Sequence, residues 1–266
     1  MYGTVQSTTW LSPAMVRIVL GGDGLAGFEP RVETDAYVNV AIPPEHADYT
    51  APFDLDRIRN EQPAELQPHR RRYTVRRFDA SAGELTLDVV VHERGPGGMW
   101  AAGAAPGDAL VLTGPGGGYH PDPAADHHLL AGDESALPAI GASLEVLPTG
   151  ARGTALIVVD GPDHELDLVH PPGVEVRWLH RTGEEPVDER LLLDAVSAPP
   201  SPASRLHAFV HGEAGEVRAV RRHLLTEWEL SRASLSCSPY WRRHLADEAW
   251  RQAKPAWSAE VERDVA

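Results

Sequence analysis

The chain has 266 residues, 42% of them apolar and 24% charged, and a formal net charge of −15. That length holds one large domain or two ordinary ones with a buried core, while the acidity argues against a general binder of nucleic acid or anionic membrane, since those polyanions would repel it. The single cysteine, Cys237, excludes an intrachain disulfide, a cysteine-ligated iron–sulfur cluster and a CxxC redox pair, so any redox chemistry requires a bound cofactor.

Met1-Tyr2-Gly3-Thr4-Val5-Gln6 lacks the charged and apolar blocks of a secretory signal, and no stretch approaches the about 20 apolar residues that span a bilayer. A cytoplasmic protein with no membrane partner is expected. Residues 4–11 and 15–20 read as strands broken by Ser12-Pro13 and ended by Gly21-Gly22-Asp23-Gly24, and residues 37–42 as a strand closed by Pro43-Pro44. The polar, periodless stretch 45–69 predicts a long loop or insertion. Strands resume at 72–78 and 84–92, a short helical piece is expected over 97–102, and a further strand over 109–113. Many short strands with few helices predict a barrel.

After Gly114-Pro115-Gly116-Gly117-Gly118, read as a linker, strands alternate with helical patterns. Strands are expected at 127–131, 154–159, 174–179, 206–210 and 233–236, and helices at 135–147, 187–196, 213–229 and 240–253. This alternation predicts a doubly wound parallel sheet. The expected domains are 1–120, an antiparallel barrel, and 121–266, an α/β domain with a C-terminal helix.

Three clusters hold chemistry-bearing residues. Arg71-Arg72-Tyr73-Thr74 opens a strand on which Arg71 and Tyr73 share one face and Thr74 points the other way; arginine suits a phosphate and tyrosine an aromatic heterocycle. A charged surface strand explains the same spacing. His92 through Gly95-Pro96-Gly97-Gly98-Met99 precedes a short helix whose free N–H groups suit a pyrophosphate, although a glycine-rich turn explains it equally. Asp133, Glu134 and Ser135 lie at the carboxyl end of the first α/β strand, where open sheets bind ligands, and also suit a plain helix cap. HExxH and GxSxG are absent, and His127-His128 face opposite sides of a strand, so metallohydrolase and serine-hydrolase chemistry are unsupported.

Taken in order, Arg71-Arg72-Tyr73-Thr74-Val75-Arg76-Arg77-Phe78-Asp79, His92 with Gly95-Pro96, Trp100-Ala101, Gly107-Asp108, Gly114-Pro115-Gly116-Gly117, Ala131-Gly132-Asp133-Glu134-Ser135-Ala136-Leu137-Pro138-Ala139-Ile140, Trp178-Leu179-His180-Arg181, Gly212-Glu213-Ala214 and Tyr240-Trp241-Arg242-Arg243 resemble the siderophore-interacting protein family of flavin reductases, over about residues 5 to 250. The resemblance implies a ferredoxin-reductase-like fold, with an FAD-binding barrel followed by an NAD(P)H-binding domain. It implies that Arg71 lies toward phosphate, Tyr73 along the isoalloxazine and Thr74 near its N5 edge, and that His92, Gly97, Gly98 and Met99 cradle the rest of FAD. Asp133, Glu134 and Ser135 would border the nicotinamide, Glu213 would lie at a later strand end of the same cofactor-binding domain, and Arg242 or Arg243 would receive the substrate.

The activity implied is reduction of a ferric siderophore, with NADPH, NADH or a ferredoxin as donor and release of Fe(II). The sequence departs from the family pattern at Gly97-Gly98, where an Ala-Ser pair is common, at His211, where a small residue is usual, and at Pro239, where glycine is expected. Those departures keep two alternatives open: a flavoenzyme of the same fold acting on an organic biosynthetic intermediate, and a ligand-binding homologue without a redox cycle. For the 2′-phosphate of NADPH, Arg152, Arg181 and Arg218 are the candidates.

Overall fold

Alternating apolar residues in the first part of the chain form six antiparallel strands in the computed structural model, which describes residues 1–92, 95–181, 190–198 and 205–265. The strands are β1 (Tyr2–Ser12), β2 (Met15–Gly21), β3 (Tyr37–Ile42), β4 (His69–Asp79), β5 (Glu84–Val90) and β6 (Ala109–Gly116). They close into a barrel in the order β1-β2-β5-β4-β3-β6. Ile18 pairs opposite Leu87 and Val38 opposite Tyr73, and Ile18, Leu20, Val38, Val40, Leu85, Leu87, Leu110 and Leu112 fill the interior. Closure leaves no unpaired edge to recruit another chain.

Two expectations fail in this unit, which spans Met1–Gly118. The stretch expected to lack regular structure holds helix α1 (Leu55–Glu61). Asp54 caps it by accepting from the N–H groups of Asp56 and Arg57 at 2.9 and 3.0 Å, and Arg57 pairs with Glu61 one turn on. Ile58 is its single buried residue, so local capping holds a helix that shows no apolar period. The supposed linker at Gly114–Gly118 is in part strand: β6 runs through a cis Gly114–Pro115 bond to Gly116, which pairs with Tyr37. Helix α2 (Pro96–Gly103) lies between β5 and β6.

The second unit, Tyr119–Ala266, has β7 (His127–Asp133), α3 (Leu137–Val146), β8 (Gly153–Val159), β9 (Val174–His180), α4 (Leu191–Ser197), β10 (Leu206–Glu213), α5 (Ala214–Thr226), β11 (Leu235–Trp241) and α6 (Asp247–Arg263). Its five strands are parallel, in the order β11-β10-β7-β8-β9. Leu192 and Val196 of α4 and Val217, Val220 and Leu224 of α5 pack on Leu129, Ala131, Leu156, Val158 and Val210. Strand residues of opposite parity, Leu130, Ile157 and Phe209, are buried as well, so both faces of the sheet are covered, as an all-parallel sheet requires. The strand order reverses between β7 and β10, and this is the position where such sheets open a ligand crevice beyond their carboxyl ends.

The final helix, expected from Tyr240, begins later, as α6 at Asp247, and Tyr240 belongs to β11. Pro239 lies within that strand, and on an edge strand its missing N–H deprives no neighbour. Of the expected helix 187–196, residues 187–189 lie outside the described residues, as do residues 199–203 of the proline-rich loop. No helix among the described residues is long and apolar enough to cross a membrane.

Candidate functional site

In the barrel unit, β4 presents Arg71 and Tyr73 on one face and buries Thr74 on the other. Tyr73 packs against the barrel core, and Arg71 Nη1 donates to the Arg70 carbonyl at 2.9 Å. The first turn of α2 comes up against this pair: a Cβ at Gly97 would overlap the Tyr73 hydroxyl and lie 3.0 Å from Arg71 Cγ. At Gly98 a Cβ would approach the His92 backbone nitrogen at 3.1 Å. Four sequence candidates, Arg71, Tyr73, Gly97 and Gly98, and the backbone of His92 therefore converge. The protein around the His92 ring disfavours its charged form and lowers its pKa, although the residue is exposed.

Gly95 supplies no side-chain cap to α2, and Pro96 opens the helix. The first N–H groups of a helix have no partner within it, and here they sit beside the Arg71 side chain, a combination suited to an anionic phosphate. The residues fit a dinucleotide cofactor of the FAD type: cation, aromatic ring and a helix N-terminus stripped of side chains. Met99 on the same turn is exposed. Gly97→Ala is expected to displace Tyr73 and weaken FAD affinity about tenfold, measured by fluorescence titration of the apoprotein; unchanged affinity would show that this close approach is not needed.

Tyr37 was not singled out in the sequence. Its backbone pairs with Thr74, and Arg72 stacks with its guanidinium carbon 5.3 Å from the ring centroid. A tyrosine in an ordinary alternating strand carries no signal that distinguishes it.

In the α/β unit, Asp133 ends β7 and is 1% exposed. Its Oδ1 accepts from the Ser135 N–H at 2.9 Å and from the Ser135 hydroxyl at 2.5 Å; its Oδ2 accepts from the Glu213 N–H and from Trp241 Nε1, both at 2.8 Å. One carboxylate thus ties together the carboxyl ends of β7, β10 and β11. Gly212, at φ 141°, permits this approach, because a Cβ there would lie 2.8 Å from Asp133 Oδ2. Glu213 caps α5 by accepting from Gly215 and Glu216 N–H, and its other oxygen takes the Arg243 N–H at 3.0 Å. Asp133, Ser135 and Glu213 are brought together, and their side chains hold the strand ends to one another.

Glu134 is held differently. Arg181, just beyond β9, donates from Nη1 to Glu134 Oε1 at 2.6 Å and to Asp160 Oδ1 at 2.9 Å. Burial raises the Glu134 pKa against the pull of that arginine. Glu134, Asp160 and His164 lie close enough to share a metal ion, but the guanidinium already bridges the two carboxylates.

Glu216, in the first turn of α5, was also missed. It is 1% exposed, and Arg243 Nη2 reaches its Oε1 at 3.4 Å while Oε2 has no hydrogen-bond partner. Burial first and the nearby charge of Asp133 second push its pKa up to about 8, against Arg181 and Arg243. The two substrate candidates differ: Arg243 is drawn inward by Glu216, whereas Arg242 is exposed, its guanidinium carbon 6.0 Å from the Trp250 ring centroid.

The departures at His211 and Pro239 have packing explanations. His211 stacks on Phe209 with centroids 3.8 Å apart, and its Nε2 pairs with Ser236 Oγ at 3.0 Å. The Pro239 carbonyl accepts from Lys254 Nζ of α6 at 2.7 Å.

Residues 4–119 match the family model described as siderophore-interacting FAD-binding domain, and residues 125–244 match siderophore-interacting protein. An uncharacterized protein of Mycobacterium tuberculosis is 42% identical over 94% of this chain and 93% of its own length. Ferric vibriobactin reductase ViuB of Vibrio cholerae is 36% identical over 92% of this chain and 90% of its own. The crystal structure of a siderophore utilization protein from T. fusca superposes with a TM-score of 0.80 at 37% identity, covering 93% of this chain and 94% of that one. At the level of fold alone, both units together are ferredoxin-reductase-like.

Proposed function

Because this chain belongs to the siderophore-interacting protein family, we propose that it is an FAD-dependent reductase that carries electrons from a nicotinamide donor to a ferric siderophore and releases iron as Fe(II). The observation that carries the reading is the convergence of Arg71 and Tyr73 with the bare N-terminal turn of α2. Bound FAD would supply the ability to take a hydride's two electrons and deliver them one at a time to iron.

The chain's own residues do the positioning. Arg71 and the N–H groups of Gly97 and Gly98 would hold the FAD phosphates and Tyr73 would flank its ring system, with Thr74 buried on the other face of β4. Asp133 and Glu213 fix the strand ends that wall the nicotinamide crevice. Arg242 offers an exposed charge to an anionic siderophore. Electron transfer to a ferric centre needs no nucleophile or general base, in keeping with a site built of cations, glycines and aromatic rings. Fe(III) is the substrate's metal, and oxygen-donor chelators hold Fe(II) far less tightly.

The test is an anaerobic visible spectrum of the FAD-loaded protein. Adding a nicotinamide donor should bleach the flavin, and a ferric siderophore should restore its colour with Fe(II) appearing in proportion. Bleaching without reoxidation by the ferric chelate would remove the siderophore, and no bleaching would remove the nicotinamide donor.

A further inference from the structure

We propose that the donor is NADH rather than NADPH, with Asp160 accepting the hydroxyls of the adenosine ribose; this rests on the reductase reading above. The argument begins with position. Asp160 directly follows β8, the second strand of the β7-α3-β8 unit, and its side chain is 62% exposed at the carboxyl edge of the sheet. A dinucleotide whose pyrophosphate lies at the first strand-to-helix turn extends its adenosine ribose toward that strand end. A carboxylate there accepts two hydroxyl hydrogen bonds, and it repels a phosphate ester in the same place.

The surroundings reinforce the sign. The stretch following β8, residues 160–173, carries four Asp or Glu and no Arg or Lys, and the residue that directly follows β9 is Arg181. That guanidinium is 13% exposed and lies against both Glu134 and Asp160. Turning it toward a 2′-phosphate would strip the equally buried Glu134 of its counter-charge, an arrangement that desolvation penalises heavily.

The remaining candidate cations are elsewhere. Arg152 precedes β8, at the amino end of the sheet, and Arg218 on α5 makes a two-pronged pair with Asp264 at 2.6 and 2.9 Å. Arg190, at the start of α4, pairs with Asp194. The 2′-phosphate of NADPH would therefore meet net negative charge, whereas the NADH diol meets an acceptor that Arg181 holds in place.

The experiment is calorimetric binding of NAD⁺ and NADP⁺ to the FAD-loaded protein, paired with anaerobic flavin reduction by NADH and NADPH. The wild type should bind NAD⁺ about tenfold or more tightly than NADP⁺. Asp160→Ser, at an exposed position, should weaken NAD⁺ about tenfold and narrow or reverse the ratio. Equal or tighter NADP⁺ binding by the wild type, or an unchanged ratio in the variant, overturns the inference while leaving the reductase reading in place. Selective NAD⁺ binding without flavin reduction overturns NADH as the donor and removes the nicotinamide donor from the reading. Failure of both nucleotides to bind overturns both.

Discussion

Asp133→Ala is expected to destabilise the α/β unit by about 4 kcal/mol, lowering its thermal transition by about 10 °C. The carboxylate is almost wholly buried and accepts four hydrogen bonds from three residues. Removing it strands the Glu213 N–H and the Trp241 indole N–H at the ends of two strands, and a buried donor without a partner costs its full desolvation. Asp133→Asn should lie between the two, since its amide oxygen can satisfy only part of the donor set. A melt of the alanine variant within about 2 °C of the parent would show that this carboxylate does not hold the strand ends together. The same loss should loosen nicotinamide binding, because the crevice walls depend on those ends.

The second large effect is a stability maximum near pH 6.5. Burial first, then neighbouring positive charge, depresses His128 to about 4 and His211 to about 3 from an ordinary value of 6.5. Both are neutral in the folded state, so they contribute stability that is fully present above pH 6.5 and is lost as pH falls through their folded values. His207, lowered mainly by burial, acts in the same sense. Glu216 has the opposite sign: its pKa rises from 4.5 to about 8, so its contribution is complete below pH 4.5 and is lost as pH rises through about 8. Between pH 4.5 and 6.5 the histidines outweigh it, and above 6.5 it acts without them.

The measurement is unfolding free energy against pH at constant ionic strength. The alkaline arm should fall by up to about 1.4 kcal/mol per pH unit, and Glu216→Gln should flatten it while steepening the acid arm between pH 4.5 and 6.5, where the glutamate no longer opposes the histidines. An alkaline arm identical in the variant would assign the decline to other groups.

Much of this architecture was legible because its signals are local. Strand β3 shows itself in six residues closed by Pro43-Pro44, and the change from period-two alternation to strand and helix marks the passage from barrel to parallel sheet. The Arg71-to-Thr74 and Gly95-to-Met99 clusters stood out by composition. Helix α1 did not, because a side-chain cap and two ion pairs hold it without an apolar stripe. The course of β11 beyond Ser236 was not legible: it passes through Pro239, whose missing N–H is tolerated because the strand lies at the edge, and that is a property of the sheet.

The same division runs through the candidate site. Sequence by itself determined which residue types are present: the family pattern, the cations and glycines for phosphate, and the lack of any cysteine pair for redox work. Tertiary structure decided what each residue does. It made Gly97, a departure from the family pattern, the clearance for Tyr73, and made Asp133 and Glu213 braces. It also committed Arg181 and Arg243 to carboxylates and left Arg242 exposed. Composition and periodicity are written along the chain, whereas burial and the pairing of charges depend on residues tens of positions apart. Asp133 and Trp241 are 108 residues apart in sequence and 2.8 Å apart at their hydrogen bond, and only the folded sheet brings them together.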